Sequence, residues 1–89
     1  MDQTAVLQDL EALAAALQID VRYEDLEGRG GLCRFGGRTC LLVSRGLSVP
    51  ERVDLFVGGL SSLPLDGVFI RPRVRELLER RAASAAPPR

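Results

Sequence analysis

Apolar residues near the start of the chain recur at the spacing of an α-helix. Val6, Leu10, Leu13 and Leu17 are separated by four, three and four residues, which places them on one stripe. The pattern predicts a helix over residues 3–18, with Asp2 as its N-cap. Residues 19–25 then alternate between apolar and charged side chains, which predicts a half-buried strand.

The stretch RGGLCRFGGRTCLLV, residues 29–43, predicts a β-hairpin. Gly36 and Gly37 suit the two positive-φ positions of a type I′ turn, and folding about them places Cys33 opposite Cys40. One face of the hairpin then carries Cys33, Phe35, Cys40 and Leu42, and the other carries Leu32, Arg34, Thr39, Leu41 and Val43. Although both faces keep apolar residues, we expect the cysteine face to be the core face.

The second half of the chain predicts two more helices. Ser48 is a suitable N-cap for a helix over residues 49–62, with Pro50 in its first turn and Glu51 three residues after the cap. The segment Val68 to Ile70 can add a short strand, and a last helix follows over about residues 72–82. These elements predict an α+β fold: a small antiparallel sheet of three or four strands with helices on one face, in the order α-β-β-β-α-(β)-α.

Length and composition limit the chain to a single domain. Its 89 residues and 46% hydrophobic content suit one small core, which we assign to residues 1–83. Residues 84–89 are expected to form a disordered tail. The start of the chain shows neither a signal peptide nor an apolar run of the ~18 residues that a membrane span needs. We therefore expect a cytoplasmic protein with reduced thiols and no membrane contact.

Charge is balanced overall but uneven along the chain. The net charge is zero, which removes the simplest argument for nucleic-acid binding. Residues 1–27 hold seven acids and one base, whereas the remainder holds five acids and eleven bases. This asymmetry favours pairing between the two halves, with the presentation of one half to a partner as the alternative.

Candidate chemistry centres on the two cysteines, because the chain has no histidine. A structural zinc site needs about four Cys or His ligands, so Cys33 and Cys40 alone do not predict one. We favour buried, unreactive thiols and keep a redox sensor or a weak metal binder as alternatives.

The acidic residues Glu24, Asp25 and Glu27 are interpreted as a solvated strand end. The GRGG segment is interpreted as a loop or bulge, since it lacks the context of a phosphate-binding motif. We predict no catalytic residue, no metal site and no cofactor.

Arginines cluster in the last predicted helix and just before it. Arginine suits phosphate recognition, so a phosphate or nucleic-acid binder using Arg71, Arg73, Arg75, Arg80 and Arg81 is a third hypothesis. Glu76 and Glu79 interrupt this cluster, and few aromatic residues are free for stacking on bases. Nucleic acid is therefore the less favoured partner.

The order of motifs over residues 16–60 resembles the minimal core of short zincin metallopeptidases of the ImmA/IrrE type, which cleave phage-type repressors. The Arg29-Gly30-Gly31-Leu32-Cys33 hairpin and the ending DGVFIRPRVRELL, residues 66–78, also resemble a class of short uncharacterised bacterial proteins. The resemblance implies a helix carrying H-E-x-x-H after the hairpin. Here that region reads VGGLSS, residues 57–62, without a histidine. The resemblance therefore implies a zincin-like scaffold without its metal.

These observations favour a non-enzymatic accessory or protein-interaction module that forms a homodimer or binds another protein. A helix with paired glycines and few charges can pack closely against a second copy. We therefore expect the interaction surface to include Leu55, Gly58, Gly59, Arg71, Arg73 and Arg75.

Overall fold

The computed structural model of the chain describes residues 2–85, with side chains described up to residue 83. The elements are α1 (Gln3–Ala16), β1 (Asp20–Glu24), β2 (Gly30–Phe35), β3 (Arg38–Ser44), α2 (Val49–Leu60) and α3 (Pro72–Ala85). The α+β class, the three strands and the order of the elements are confirmed. Segment Val68 to Ile70 is not part of the sheet, so the optional fourth strand does not form.

The sheet is mixed rather than wholly antiparallel. Its strand order is β1-β3-β2, and β3 pairs antiparallel with β2 but parallel with β1. The segment that links β1 to β2, residues 25–29, leads the chain to the far side of the sheet, and the hairpin then brings β3 back between them. The central position suits β3, because its run Cys40 to Val43 is the longest apolar run of the three strands.

The hairpin has the predicted turn and register. Gly36 and Gly37 adopt φ values of 59° and 79°, as a type I′ turn requires. Phe35 lies opposite Arg38, and Cys33 lies opposite Cys40. The turn therefore fixes which side chains of β3 share a face.

The core lies on the opposite face of the hairpin from the predicted one. Leu41 and Val43 are 0% exposed and join the core formed with the helices, whereas Phe35 is 71% exposed. The prediction that the cysteine face is the core face is wrong. The reason lies in α2, which packs on the Leu32 and Leu41 face through Gly59: a Cβ there would lie 3.3 Å from Leu32 Cγ and 3.4 Å from Leu41 Cδ1.

The helix ends follow the predicted capping residues. The Asp2 carboxylate accepts a hydrogen bond from the Thr4 amide at 3.0 Å. Ser48 and Glu51 form a complete capping box at the start of α2. The last helix continues to Ala85, about one turn beyond its predicted end, so the first two residues of the predicted tail belong to α3. The rest of that tail, residues 86–89, lies outside the described residues.

A polar contact joins α1 to β1 at the margin of the core. The Tyr23 hydroxyl donates a hydrogen bond to the Glu11 carboxylate, and the Arg52 guanidinium lies 5.4 Å from the centre of the Tyr23 ring. Burial, followed by the Glu11 hydrogen bond and charge, raises the pKa of Tyr23 to about 12. The contact stabilises the phenol in its protonated form.

Replacing Gly30 should destabilise the fold much more than replacing Gly28. Gly30 has φ 108°, and a Cβ there would overlap the Leu42 carbonyl oxygen, whereas a Cβ at Gly28 meets nothing within 4 Å. We expect Gly30→Ala to lower the free energy of unfolding by more than about 2 kcal/mol. We expect Gly28→Ala to change it by less than about 0.5 kcal/mol. Urea unfolding measures both, and equal effects would contradict the close approach of β2 to β3.

Titration of Tyr23 should differ between the folded and the unfolded chain. The unfolded phenol titrates near pH 10, whereas the folded pKa is about 12. Since the unfolded state loses its proton first, the stabilisation is fully present below about pH 10 and is lost as the pH rises towards 12. Phenolate absorbance reports this residue alone, because the chain has one Tyr and no Trp. Glu11→Gln should move the folded midpoint towards 10, and a native midpoint already near 10 would contradict the contact.

Candidate functional site

The helices cover one face of the sheet and leave the other without a helical layer. The alternation along the strands places Gly31, Cys33, Phe35, Arg38, Cys40, Leu42, Asp20, Arg22 and Glu24 on this second face. We call this set the open face. None of its members belongs to the hydrophobic core cluster. It has a largely apolar half on β2 and β3, with Arg38 at the turn end, and a charged half on β1. We call the first of these the apolar half.

The two predicted candidate thiols lie side by side on the apolar half of the open face. Cys33 is half-buried, and Cys40 is 7% exposed. Burial raises the pKa of the Cys40 thiol, and the neighbouring Cys33 adds to this effect. Both cysteines are free, so they do not form a disulfide. Cys40 is buried and Cys33 is half-buried, although neither belongs to the core cluster on the helix-covered face.

The outer edge of β2 is free of strand partners in the sheet. Phe35 and Arg38 close the two-residue turn and therefore form a hydrogen-bonded pair. Hydrogen-bonded and non-hydrogen-bonded pairs alternate along an antiparallel ladder. The backbone groups of Leu32 and Arg34 consequently point away from β3 and can pair with another strand.

Part of the predicted interaction surface lies beside this edge. A small cavity of about 160 Å³ is lined by Arg29, Gly31, Asp54, Leu55, Gly58, Gly59 and Arg81. Gly59 faces the sheet, and Gly58 lies against the Arg81 guanidinium, which a Cβ would approach to 2.9 Å. The two glycines are thus in contact with other parts of the same chain, and Leu55 is the half-buried apolar side chain of this flank.

An aspartate shared by two arginines closes the same flank. Asp54 binds Arg29 at 2.7 Å and Arg81 at 2.9 Å. The hydrogen bond from Arg29, with further contributions from Arg81, lowers the pKa of Asp54. These pairs join the start of β2 to α2 and α3, so they hold the flank in place beside the edge strand.

Most of the arginines proposed for phosphate recognition have acidic neighbours. Arg71 and Arg73 both contact Asp9 of α1, at 3.4 and 2.8 Å, and Arg80 pairs with Glu76 at 2.6 Å. Arg75 is exposed on α3. The predicted interaction residues thus fall into two groups, and the pairing leaves less positive charge for a phosphate than the sequence indicates.

The acidic residues at the end of β1 have arginine neighbours as well. Glu24 lies 4.0 Å from Arg22, and Asp25 lies 3.7 Å from Arg45, while Glu27 is exposed. Across residues 2–85 no group of three or more Cys, Asp or Glu side chains has the arrangement of a metal site.

Two exposed phenylalanines were not predicted as surface residues. Phe35 lies at the turn end of the open face, and Phe69 is 82% exposed beside a groove of about 370 Å³ between α1 and the segment before α3. Sequence alone does not distinguish these residues from core aromatics, because Phe35 alternates with Cys33 on one face of a predicted strand and Phe69 lies between Val68 and Ile70. The two phenylalanines are therefore similarly exposed but lie on different surfaces, Phe35 on the sheet and Phe69 beside the groove.

Comparison with known proteins assigns no relative to the chain. No family model matches it, no curated protein matches it significantly, and no solved structure does so either. Among the helices of the described region, none combines the length and the apolar character needed to cross a membrane.

The two thiols should differ in reactivity in the folded chain. Cys33 is the more exposed, and the raised pKa of Cys40 reduces its thiolate fraction at neutral pH. We expect N-ethylmaleimide to modify Cys33 about tenfold or more faster than Cys40, as measured by peptide mass spectrometry. In denaturant the two rates should converge. Complete protection of both thiols until unfolding would instead indicate that the open face is covered.

Proposed function

We propose that the chain is a non-enzymatic protein-interaction module that self-associates by pairing β2 with β2 of a second copy. The observation that most directly supports this proposal is the free edge of β2, which is continuous with the apolar half of the open face. Edge strands of this kind are templates for pairing with another chain.

The composition of the two edges favours β2 over β1. The open side of β1 carries Asp20, Arg22 and Glu24, and Arg22 lies 3.8 Å from Asp20 and 4.0 Å from Glu24. Charged side chains of this kind protect an edge from pairing. In contrast, β2 reads GGLCRF, with a single charge. It is therefore the less protected edge.

A second copy is the partner that fits this edge. Antiparallel pairing of β2 with itself is self-complementary about a two-fold axis, as a closed homodimer requires. It would extend the two sheets into one of six strands and keep all helices on the same side. The flank with Leu55 and the small cavity would then meet its counterpart, so the contact would include a helical layer as well as the strand edge.

The residues of α2 support the proposal that the chain is not an enzyme. In the resemblance to the zincin core, this helix corresponds to the one that carries the metal ligands. Here Val57 and Leu60 are buried in the core, Gly59 lies against the sheet, and the chain has no histidine. We therefore propose a degenerate zincin-like scaffold whose ligand-bearing helix has become a packing element.

Self-association should depend on the β2 edge and on Phe35. We expect light scattering at high micromolar concentration to give the mass of a dimer. Phe35→Asp should weaken the dimer by at least about tenfold, because it places a charge beside the paired strands. Arg34→Pro should act similarly, since it removes an outward amide without breaking the hairpin ladder.

The chain offers a matched control in Phe69→Asp, which makes the same change on an equally exposed side chain outside the sheet. It should leave the dimer unchanged. A strictly monomeric native chain would contradict the proposal, and so would equal effects of Phe35→Asp and Phe69→Asp.

A further inference from the structure

We propose that Cys33 and Cys40 form a two-coordinate binding site for Cu(I), a soft and thiophilic cation. The site lies on the open face and uses two thiols of one chain. It does not use the outward backbone groups of β2, on which the proposed self-association depends, so the two proposals can be tested separately.

The hairpin places the two thiols at a suitable separation. Cys33 and Cys40 are direct cross-strand partners. They form a hydrogen-bonded pair because only one pair, Arg34 with Thr39, lies between them and the hydrogen-bonded pair that closes the turn. The Cα atoms of such a pair lie about 5.5 Å apart. A metal with bonds of about 2.3 Å to sulfur spans up to about 4.6 Å between two sulfur atoms in a linear arrangement. Rotation about the Cα–Cβ bonds of the two cysteines can set their sulfur atoms at this separation, because their Cα atoms are only about 1 Å further apart.

The same separation is less suitable for a disulfide. A relaxed disulfide needs Cβ atoms about 3.5–4.5 Å apart. The Cβ atoms of directly opposite residues lie about 4.5–5.5 Å apart, and hydrogen-bonded pairs are at the wider end of that range. A bridging cation accepts the wider spacing. The pair is therefore better arranged for coordination than for oxidation.

The ligand types select a soft cation of low coordination number. Zinc normally takes four ligands, but the chain has only two cysteines and no histidine, and the described residues contain no larger cluster. Thiolates select soft metals such as Cu(I). A cation that is satisfied by two thiolates matches the residues present.

The charges on the open face are compatible with a bound dithiolate. Asp20 is the register partner of Cys40 on β1, and the positively charged Arg22 lies two residues further along the strand, opposite Leu42. Arg38 shares the same face of β3. On binding, two S–H bonds break, two S–Cu bonds form, and two protons pass to the solvent. Copper remains Cu(I), so no oxidant or reductant is required.

Competition with a chromogenic Cu(I) chelator tests the site. The reduced chain is titrated anaerobically against the Cu(I) complex of bathocuproine disulfonate, and the loss of chelator absorbance reports transfer to the protein. We expect one Cu(I) per chain. Cys33→Ser and Cys40→Ser should each weaken binding by about 10²-fold or more, because each removes the tethered second ligand.

A matched variant separates the paired geometry from the number of thiols. The double substitution Thr39→Cys with Cys40→Ser keeps two cysteines but moves one to the opposite face of β3. It should bind as weakly as the single variants, and circular dichroism checks that each variant is folded. Lack of competition by the native chain would overturn the proposal, as would native-like binding by the single variants or by the relocated pair. Light scattering of Cys33→Ser gives the oligomeric state separately, so the two proposals can fail independently.

Discussion

The reversal of the chain at Gly36 and Gly37 is the constraint on which the rest of the structure depends. Both residues need a positive φ, and glycine adopts it without steric cost. The turn sets Cys33 opposite Cys40 and thereby fixes the face of every side chain in β3. A slip of one residue would move Leu41 and Val43 out of the core. Since β3 is the central strand, this would disrupt the contacts of the sheet with the helices as well.

Local features of the fold could be predicted from the sequence because their causes lie within a few residues. The glycine pair specifies the turn, Ser48 with Glu51 specifies the start of α2, and the leucine spacing specifies α1. The choice of core face could not be predicted in this way. Both faces of the hairpin carry apolar side chains, and the deciding contact joins Gly59 to Leu32 and Leu41, which are distant in the sequence. The parallel pairing of β1 with β3 depends on a similar long-range choice.

Acidic residues from the first part of the chain form ion pairs with arginines from the rest of the same chain. Asp9 near the N-terminus contacts Arg71 and Arg73 at the start of α3, and Asp25 pairs with Arg45. Exposed ion pairs contribute little individually, typically about 0–1 kcal/mol. Here the ion pairs fix the positions of elements: the contacts of Asp9 attach the start of α3 to α1 and hold the Arg71 and Arg73 side chains beside a carboxylate. Charge asymmetry in the sequence therefore indicates contacts between the two halves rather than an unpaired basic surface.

A chain of 89 residues builds one layer of helices and covers one face of its sheet. The other face is divided, with ion pairs on β1 and apolar groups on β2 and β3. Phe35 is 71% exposed, so its ring contributes little burial to the monomer, and a polar residue would leave the core unchanged. The paired thiols lie outside the core cluster as well, although Cys40 is buried and Cys33 half-buried between their neighbours on the sheet. The exposure of the Phe35 ring is therefore not required by the fold, and the proposed contact with a second copy would account for it.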